Sequence, residues 1–187
     1  MRRIETLYLA GPEAWFPGAA EHLALCAAIC AEAGFQLLTP DASALRQTEP
    51  DEVMAREIYA ERVARLRRAD AGIVNLTPWR GPAADPGAAF EAGFLSGLGK
   101  PVLGWLNVAS EDDAEYLGRV DAWVGAQLDE AGVWRDGDGC LIENFGLPET
   151  AMLWAEARQL FVVATPDLMT DLTGLRLCLD ALKLYAE

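Results

Sequence analysis

Two apolar runs, one helix apart, constrain this chain more than any other feature. Asp70-Ala71-Gly72-Ile73-Val74-Asn75-Leu76-Thr77 lacks polar/apolar alternation, so it reads as a strand buried on both faces, the kind found in parallel sheets. A Pro/Gly-rich loop leads to Asp85-Pro86, an N-cap followed by a proline at the first helical position. The helix ends at Gly97-Leu98-Gly99, and Val102 to Leu106 forms the second apolar run. Strand, loop, helix and strand make one βαβ unit. Glu91 falls in the second turn of that helix, among Ala88, Ala89, Phe90, Ala92 and Phe94. A carboxylate among small apolar neighbours is costly without a role. Such a helix starts at the carboxyl edge of the sheet, where ligands bind in open α/β folds. Asp85 and Glu91 are therefore candidates for a two-carboxylate site. The alternative is an Asp85 that only caps the helix and a Glu91 on a solvated face.

The rest of the chain repeats the β/α alternation. Ile4 to Ala10 reads as the first strand, broken by Gly11-Pro12, with a loop through Pro17-Gly18. Ala19 to Ala33 reads as a helix closed by Gly34, Phe35 to Leu38 as a short strand, and Thr39-Pro40-Asp41 as its turn. Arg46 to Asp51 is a polar loop able to act as a lid, and Glu52 to Arg68 is a helix whose Arg/Glu alternation reads as a solvated face. Asp70 is placed to orient the opening of its strand, whereas Asn75, Thr77, Trp79 and Arg80 fall at the strand's exit. Beyond the acidic stretch Ser110 to Glu115, helices are predicted over Tyr116 to Ala131, Glu149 to Leu160 and Asp167 to Tyr185. Gly132 to Gly139 reads as a turn at a tip, and Phe161-Val162-Val163 as an apolar run of open type. Alternating elements of this kind predict one α/β domain over residues 1–187. Its expected form is a doubly wound, flavodoxin-like parallel sheet of about five strands with helices on both faces, and a site at the switch point.

Composition narrows the function. A length of 187 residues, 52% of them hydrophobic, suits a globular domain with a full core. The formal net charge of −14 argues against nucleic-acid polymers and anionic membranes as partners. The chain opens with Met1-Arg2-Arg3 directly before a strand, and no apolar run has the length of a bilayer span, so a cytoplasmic protein is expected. Cys26, Cys30, Cys140 and Cys178 fit no zinc spacing, and Asp136-Gly137-Asp138-Gly139 lacks the spacing and terminal Glu of a calcium loop. No metal and no cofactor is expected, because phosphate-cradling and dinucleotide fingerprints are also missing. His22 is the only histidine and is read as structural, which leaves out a Ser-His triad. Trp15 and Phe16 follow the first strand and could stack on a flat base or cover the edge of the core. Glu13 beside them would repel a phosphate.

The stretch from the strand through Arg80-Gly81 and Asp85-Pro86-Gly87-Ala88-Ala89-Phe90-Glu91 resembles the signature of the nucleoside 2-deoxyribosyltransferase family: a strand, Pro-aromatic-Arg-Gly, then Asp-x-Gly-Thr-x-x-Glu. Tyr8-Leu9-Ala10-Gly11-Pro12-Glu13-Ala14-Trp15-Phe16 and Ala69-Asp70-Ala71 are similar to the same family, as is Glu143-Asn144-Phe145-Gly146-Leu147-Pro148 with Met152-Leu153. The resemblance implies Glu91 as the nucleophile that takes the deoxyribosyl group. It implies Asp85 as the residue that contacts the base and moves its proton, and Tyr8 as the contact to nucleophile and sugar. Gly11, Trp15, Phe16, Asn75, Arg80, Gly87, Thr150 and Met152 are the candidate substrate-binding positions. The sequence departs from the family pattern at Ala88, where a Thr is usual, at Thr150, where an Asn is usual, and at Glu61-Arg62, where some members carry an Asp.

A carboxylate nucleophile and a second acid suffice to break an N-glycosidic bond through an oxocarbenium-like transition state. The resemblance implies small-molecule partners, nucleosides and free nucleobases, with transfer of the 2-deoxyribosyl group between bases. An N-glycoside hydrolase acting on nucleosides or nucleotides uses the same residues and stays open, as does a non-catalytic flavodoxin-like binding module. A homo-oligomer is expected, with residues around Thr150 to Trp154 lent to a neighbour's site.

Overall fold

The computed structural model describes residues 3–39 and 51–186. The turn expected at Pro40-Asp41 and the lid expected over residues 46–50 lie outside them. Strands β1 (Thr6–Ala10), β2 (Gln36–Leu37), β3 (Ala71–Asn75), β4 (Val102–Val108) and β7 (Gln159–Ala164) form a parallel five-stranded sheet ordered β2-β1-β3-β4-β7. Counting only these strands, the order is 2-1-3-4-5, the doubly wound arrangement the alternation predicts, with its switch point between β1 and β3. Helices α1 (Ala19–Glu32) and α6 (Thr173–Ala186) cover one face, and α2 (Glu52–Arg68) and α3 (Pro86–Gly97) the other.

The period of two along β1 sorts its side chains between these layers. Leu7 and Leu9 join Leu23, Cys26, Ile29, Leu175 and Leu182 on the α1/α6 side. Tyr8 and Ala10 join Leu66, Ala88, Ala92 and Leu95 on the α2/α3 side. Cys26, Cys30 and Cys178 are buried free thiols of the first layer, and burial pushes the Cys30 thiol up to about 11. Asp70 orients its strand as expected, because Oδ2 accepts from the Glu5 and Thr6 amides at 3.1 and 3.0 Å and from Thr6 Oγ1 at 2.8 Å.

The second half of the chain departs from the predicted helices. Helix α4 (Tyr116–Val124) stops well before Ala131, since Gly125 takes φ 79°, a left-handed value that ends a helix readily. The residues that follow pair as an antiparallel hairpin, β5 (Ala126–Leu128) with β6 (Trp134–Asp136). Asp129 closes it: Oδ1 accepts from the Ala131 and Val133 amides, and Oδ2 from Arg135 Nε at 2.7 Å. Helix α5 is only Ala151–Glu156, and the run at Phe161-Val162-Val163 belongs to β7. There β4 offers a free edge, and six registered pairs from Leu103↔Gln159 to Val108↔Ala164 outweigh continued helix. Helix α6 starts at Thr173 rather than Asp167, and Asp167 and Asp171 instead accept from the Thr170 and Thr173 amides.

Arg119 of α4 ties this region to the sheet's carboxyl edge. It donates to the carbonyls of Pro82 (2.9 Å), Asp113 (3.0 Å) and Pro148 (2.7 Å), and lies 3.4 Å from Glu149 Oε2. The loop before α3 and the segment before α5 are thereby held by one buried guanidinium. No helix among the described residues is long and apolar enough to cross a membrane.

Packing of α6 on the sheet gives a checkable consequence. A Cβ at Gly174 would lie 2.6 Å from Cβ of Trp105, and would overlap its fully buried indole. Gly to Ala in an exposed helix stabilises by roughly 0.5–1 kcal/mol, yet Gly174→Ala is expected to destabilise by about 1–3 kcal/mol through overpacking. Urea denaturation reads the sign, and a stabilised variant would mean that α6 shifts freely on β4.

Candidate active site

The site sits where the chain turns out of β1 and β3, on the α2/α3 side of the sheet. Tyr8 points to that side by strand alternation, and Glu91 faces it from the second turn of α3. The Tyr8 hydroxyl donates to Glu91 Oε1 at 2.7 Å. Arg62 of α2 donates from Nη1 to the same oxygen at 3.2 Å. Glu91 is 5% exposed, so the solvated-face alternative does not hold. Burial raises its pKa above the usual carboxylate range; the Tyr8 and Arg62 contacts oppose that rise, and the nearby Asp85 adds to it. The Tyr8 hydroxyl is itself raised, first by burial and then by the Glu91 charge, so it stays a proton donor in the bond.

Asp85 caps α3, with Oδ2 accepting from the Ala88 amide at 3.0 Å. Gly87 is needed beside it, because a Cβ there would stand 2.8 Å from that same oxygen. The helix start thus brings Asp85 near enough to Glu91 for its charge to raise the Glu91 carboxyl.

A second buried carboxyl stands on the other side of the switch point. Glu13, in the 3-10 turn Pro12–Trp15 that follows β1, is 2% exposed and accepts from Asn75 Nδ2 at 2.8 Å. Gly11 is required by this contact, since a Cβ there would collide with Glu13 Oε2 and lie 2.8 Å from Asn75 Cβ. Asn75 Oδ1 accepts from the Thr77 amide at 2.9 Å, and Thr77 Oγ1 accepts from the Asn107 amide at 3.0 Å. Asn107 Nδ2 in turn donates to the Leu168 and Asp171 carbonyls at 3.0 Å each. These bonds make a continuous rail along the carboxyl edge from β1 to the loop before α6. Burial lifts the Glu13 carboxyl to about 7, against the Asn75 bond, with Glu91 and Asp85 adding smaller upward contributions.

A cavity of about 340 Å³ opens between α2 and α3 beside Glu91, lined by Trp15, Tyr59, Arg62, Gly87 and Phe90 among others. Trp15, Tyr59 and Phe90 are exposed aromatics, and the Tyr59 and Phe90 rings are 6.4 Å apart, which suits a flat apolar ligand. Of the sequence-derived candidates, Tyr8, Trp15, Gly87 and Glu91 converge on this cavity or on Glu91, and Asp85 adjoins it. Gly11 and Asn75 belong to the Glu13 cluster. Phe16 is buried, packed on Trp79 (5.6 Å) and His22 (5.5 Å), and so covers the edge of the core. Arg80 is exposed, with φ 56° and its guanidinium over the Trp79 ring at 5.1 Å. Thr150 and Met152 line a different cavity, about 510 Å³, between α3 and α5.

The sequence alone gives no site role to three of the residues gathered here. Arg62 and Tyr59 were hidden in the Arg/Glu alternation of α2, which is not wholly solvated: Arg65 is also buried, bonded to the Thr39 carbonyl and to Glu61 Oε2 at 2.9 Å. The available signal was helical spacing, since Tyr59, Arg62, Val63 and Leu66 share one stripe. Glu13 was noted only for its charge.

A doubly wound α/β sheet with a buried Tyr–Glu pair at its switch point defines a class of small-ligand sites rather than one reaction. The particular family follows from comparison: the model for nucleoside 2-deoxyribosyltransferases matches residues 7–152, and the chain belongs to that family. Its members act on nucleosides and nucleobases. An uncharacterized protein of Schizosaccharomyces pombe is 28% identical over 161 residues, 80% of this chain and 75% of that protein. A 2-desoxiribosyltransferase from Leishmania mexicana shares the fold at TM-score 0.59 and 23% identity, over 94% of this chain and 97% of that one. A conserved protein from Enterococcus faecalis shares it at TM-score 0.51 and 15% identity, over 95% and 98%.

Glu13 makes stability depend on pH in a stated direction. Its folded value, about 7, lies above its ordinary value of 4.5, so the folded chain holds the proton more tightly than the unfolded one. The resulting stability is whole below about 4.5 and is lost as pH rises through about 7. Over that window the loss is roughly 3 kcal/mol. Glu13→Gln keeps an acceptor for Asn75 and removes the titration, so its stability is expected to fall less than the wild type's between pH 5 and 8. Parallel urea-unfolding curves at several pH values would trace the effect to another group if both proteins changed alike.

Proposed function

We propose that this protein transfers a 2-deoxyribosyl group between nucleobases through a covalent intermediate on Glu91. The observation that carries the reading is the buried Glu91 carboxyl, held on one oxygen by the Tyr8 hydroxyl at 2.7 Å and bordering the aromatic cavity. With Oε1 occupied, Oε2 attacks C1′ of the nucleoside. The C1′–O bond forms as the N-glycosidic bond breaks, and the bonding pair leaves with the base. Asp85, whose Oδ2 serves the helix cap, gives or relays the proton that the departing base needs. An acceptor base then attacks C1′ as its ring proton passes to the Asp85 carboxylate, and the Glu91 carboxylate is released. Two displacements at one carbon preserve the β configuration.

The family and the charge both favour neutral substrates. Glu13, Asp85 and Glu91 surround the switch point, and a net charge of −14 sets the background field, so a neutral nucleoside enters with less opposition than an anionic nucleotide. Trp15, Tyr59 and Phe90 supply faces for the base. Thr150 and Met152 lie in the second cavity rather than in that cleft. In this reading they serve a neighbouring copy in a homo-oligomer, which the exposure of Met152 and Trp154 supports.

The test is a product assay with a deoxynucleoside, with and without a second free base. Wild-type protein is expected to form the exchanged nucleoside, Glu91→Gln to fall to background while remaining folded, and Asp85→Asn to lose about 10²–10⁴-fold in turnover. Near-normal exchange by Glu91→Gln would contradict the reading. Release of free base at the same rate with or without an acceptor would make the protein a hydrolase.

A further inference from the structure

Arg62 comes to the site from a helix whose charge pattern gives no hint of it. On α2 it shares a stripe with Ile58, Tyr59, Val63 and Leu66, and its partly buried guanidinium ends on Glu91 Oε1 at 3.2 Å. Tyr8 donates to that same oxygen at 2.7 Å. Two donors on one carboxylate oxygen fix the rotation of the group about Cγ–Cδ and leave the lone pairs of Oε2 for chemistry.

The charges facing Glu91 sharpen the point. From β1 comes the neutral Tyr8 hydroxyl, from the turn after β1 Glu13, from the α3 cap Asp85, and from α2 Arg62, while Arg65 acts on Tyr8. Burial and the neighbouring carboxyls favour a neutral Glu91, which is no nucleophile. Arg65 is committed to the Thr39 carbonyl and to Glu61. Among the described residues, Arg62 is the cation in direct contact with Glu91.

We infer that Arg62 is a positioning residue that keeps Glu91 ionised in its buried setting and presents Oε2 as the reactive oxygen. The part concerning Oε2 rests on Glu91 being the nucleophile, whereas the electrostatic part rests on the Arg62–Glu91 contact alone.

The experiment titrates Glu91 directly by carbon NMR of protein labelled at glutamate carboxyls, with Glu91→Gln assigning the resonance. The same proteins are then assayed for base exchange against pH. Removing the cation in Arg62→Gln is expected to raise the Glu91 pKa by about one to three units. The acidic limb of kcat should move up by the same amount, with activity recovering at higher pH. Arg62→Lys should restore most of the lost shift, and Arg62→Met, which keeps the apolar stem, serves the comparison if the Gln variant does not fold. An unchanged Glu91 pKa in these variants overturns the inference, as does an equal rate loss at every pH, which packing alone would give. A Glu91 pKa that moves while the rate profile stays still upholds the electrostatic part and overturns Glu91 as nucleophile.

Discussion

The hydrogen bond from Tyr8 to Glu91 is the interaction on which this site depends. It joins the middle of β1 to the second turn of α3, across 83 positions of sequence, in a buried layer beside the open cavity. A carboxyl so placed is costly unless donors meet it, and the donors come from elements that only the doubly wound topology brings together. Strand alternation sends Tyr8 toward α3, the Asp85-Pro86 start sets the helical phase that turns Glu91 toward Tyr8, and α2 lies close enough to add Arg62. A one-residue slip of β1 would replace Tyr8 with Leu7 or Leu9 at this place and leave the carboxyl without its phenol.

Around that bond the protein balances charge with few parts. Three carboxyl groups, Glu13, Asp85 and Glu91, stand close together, and burial raises both Glu13 and Glu91. Asp85 is only partly buried and serves the α3 cap, Glu91 has a phenol and a guanidinium, and Glu13 has an amide and drifts toward the neutral acid. Pushing the protonation of neighbouring acids apart in this way is how a single site holds both a charged and an uncharged carboxyl at neutral pH. The rail from Glu13 through Asn75, Thr77 and Asn107 adds stiffness beneath it, because Asn75, Thr77 and Asn107 are each bonded on two sides.

The sheet was legible in the sequence because buried parallel strands write themselves as unbroken apolar runs, and Ala71 to Asn75 and Val102 to Val108 are such runs. The Asp85 cap and the burial of Glu91 were legible for a similar reason, as local chemistry at a helix start. The hairpin after α4 was not, since Trp123, Val124 and Leu128 continue an amphipathic pattern that Gly125 interrupts at a single residue. Strand β7 was hidden because its partly exposed edge position gives a mixed pattern, and only the open side of β4 decides its form. Arg62 and Glu13 escaped because their meaning depends on what faces them across the fold. An arginine among glutamates and a glutamate after a proline carry no local mark of burial.

The central claim is that Glu91 Oε2 forms a bond to the sugar. Mixing the protein with a deoxynucleoside, quenching in acid within the first turnovers and mapping peptides by mass spectrometry tests it most directly. The account predicts a deoxyribosyl adduct on the peptide that contains Glu91, lost when an acceptor base is added before the quench. Turnover without any adduct on that peptide, or an adduct on another carboxylate, would contradict it.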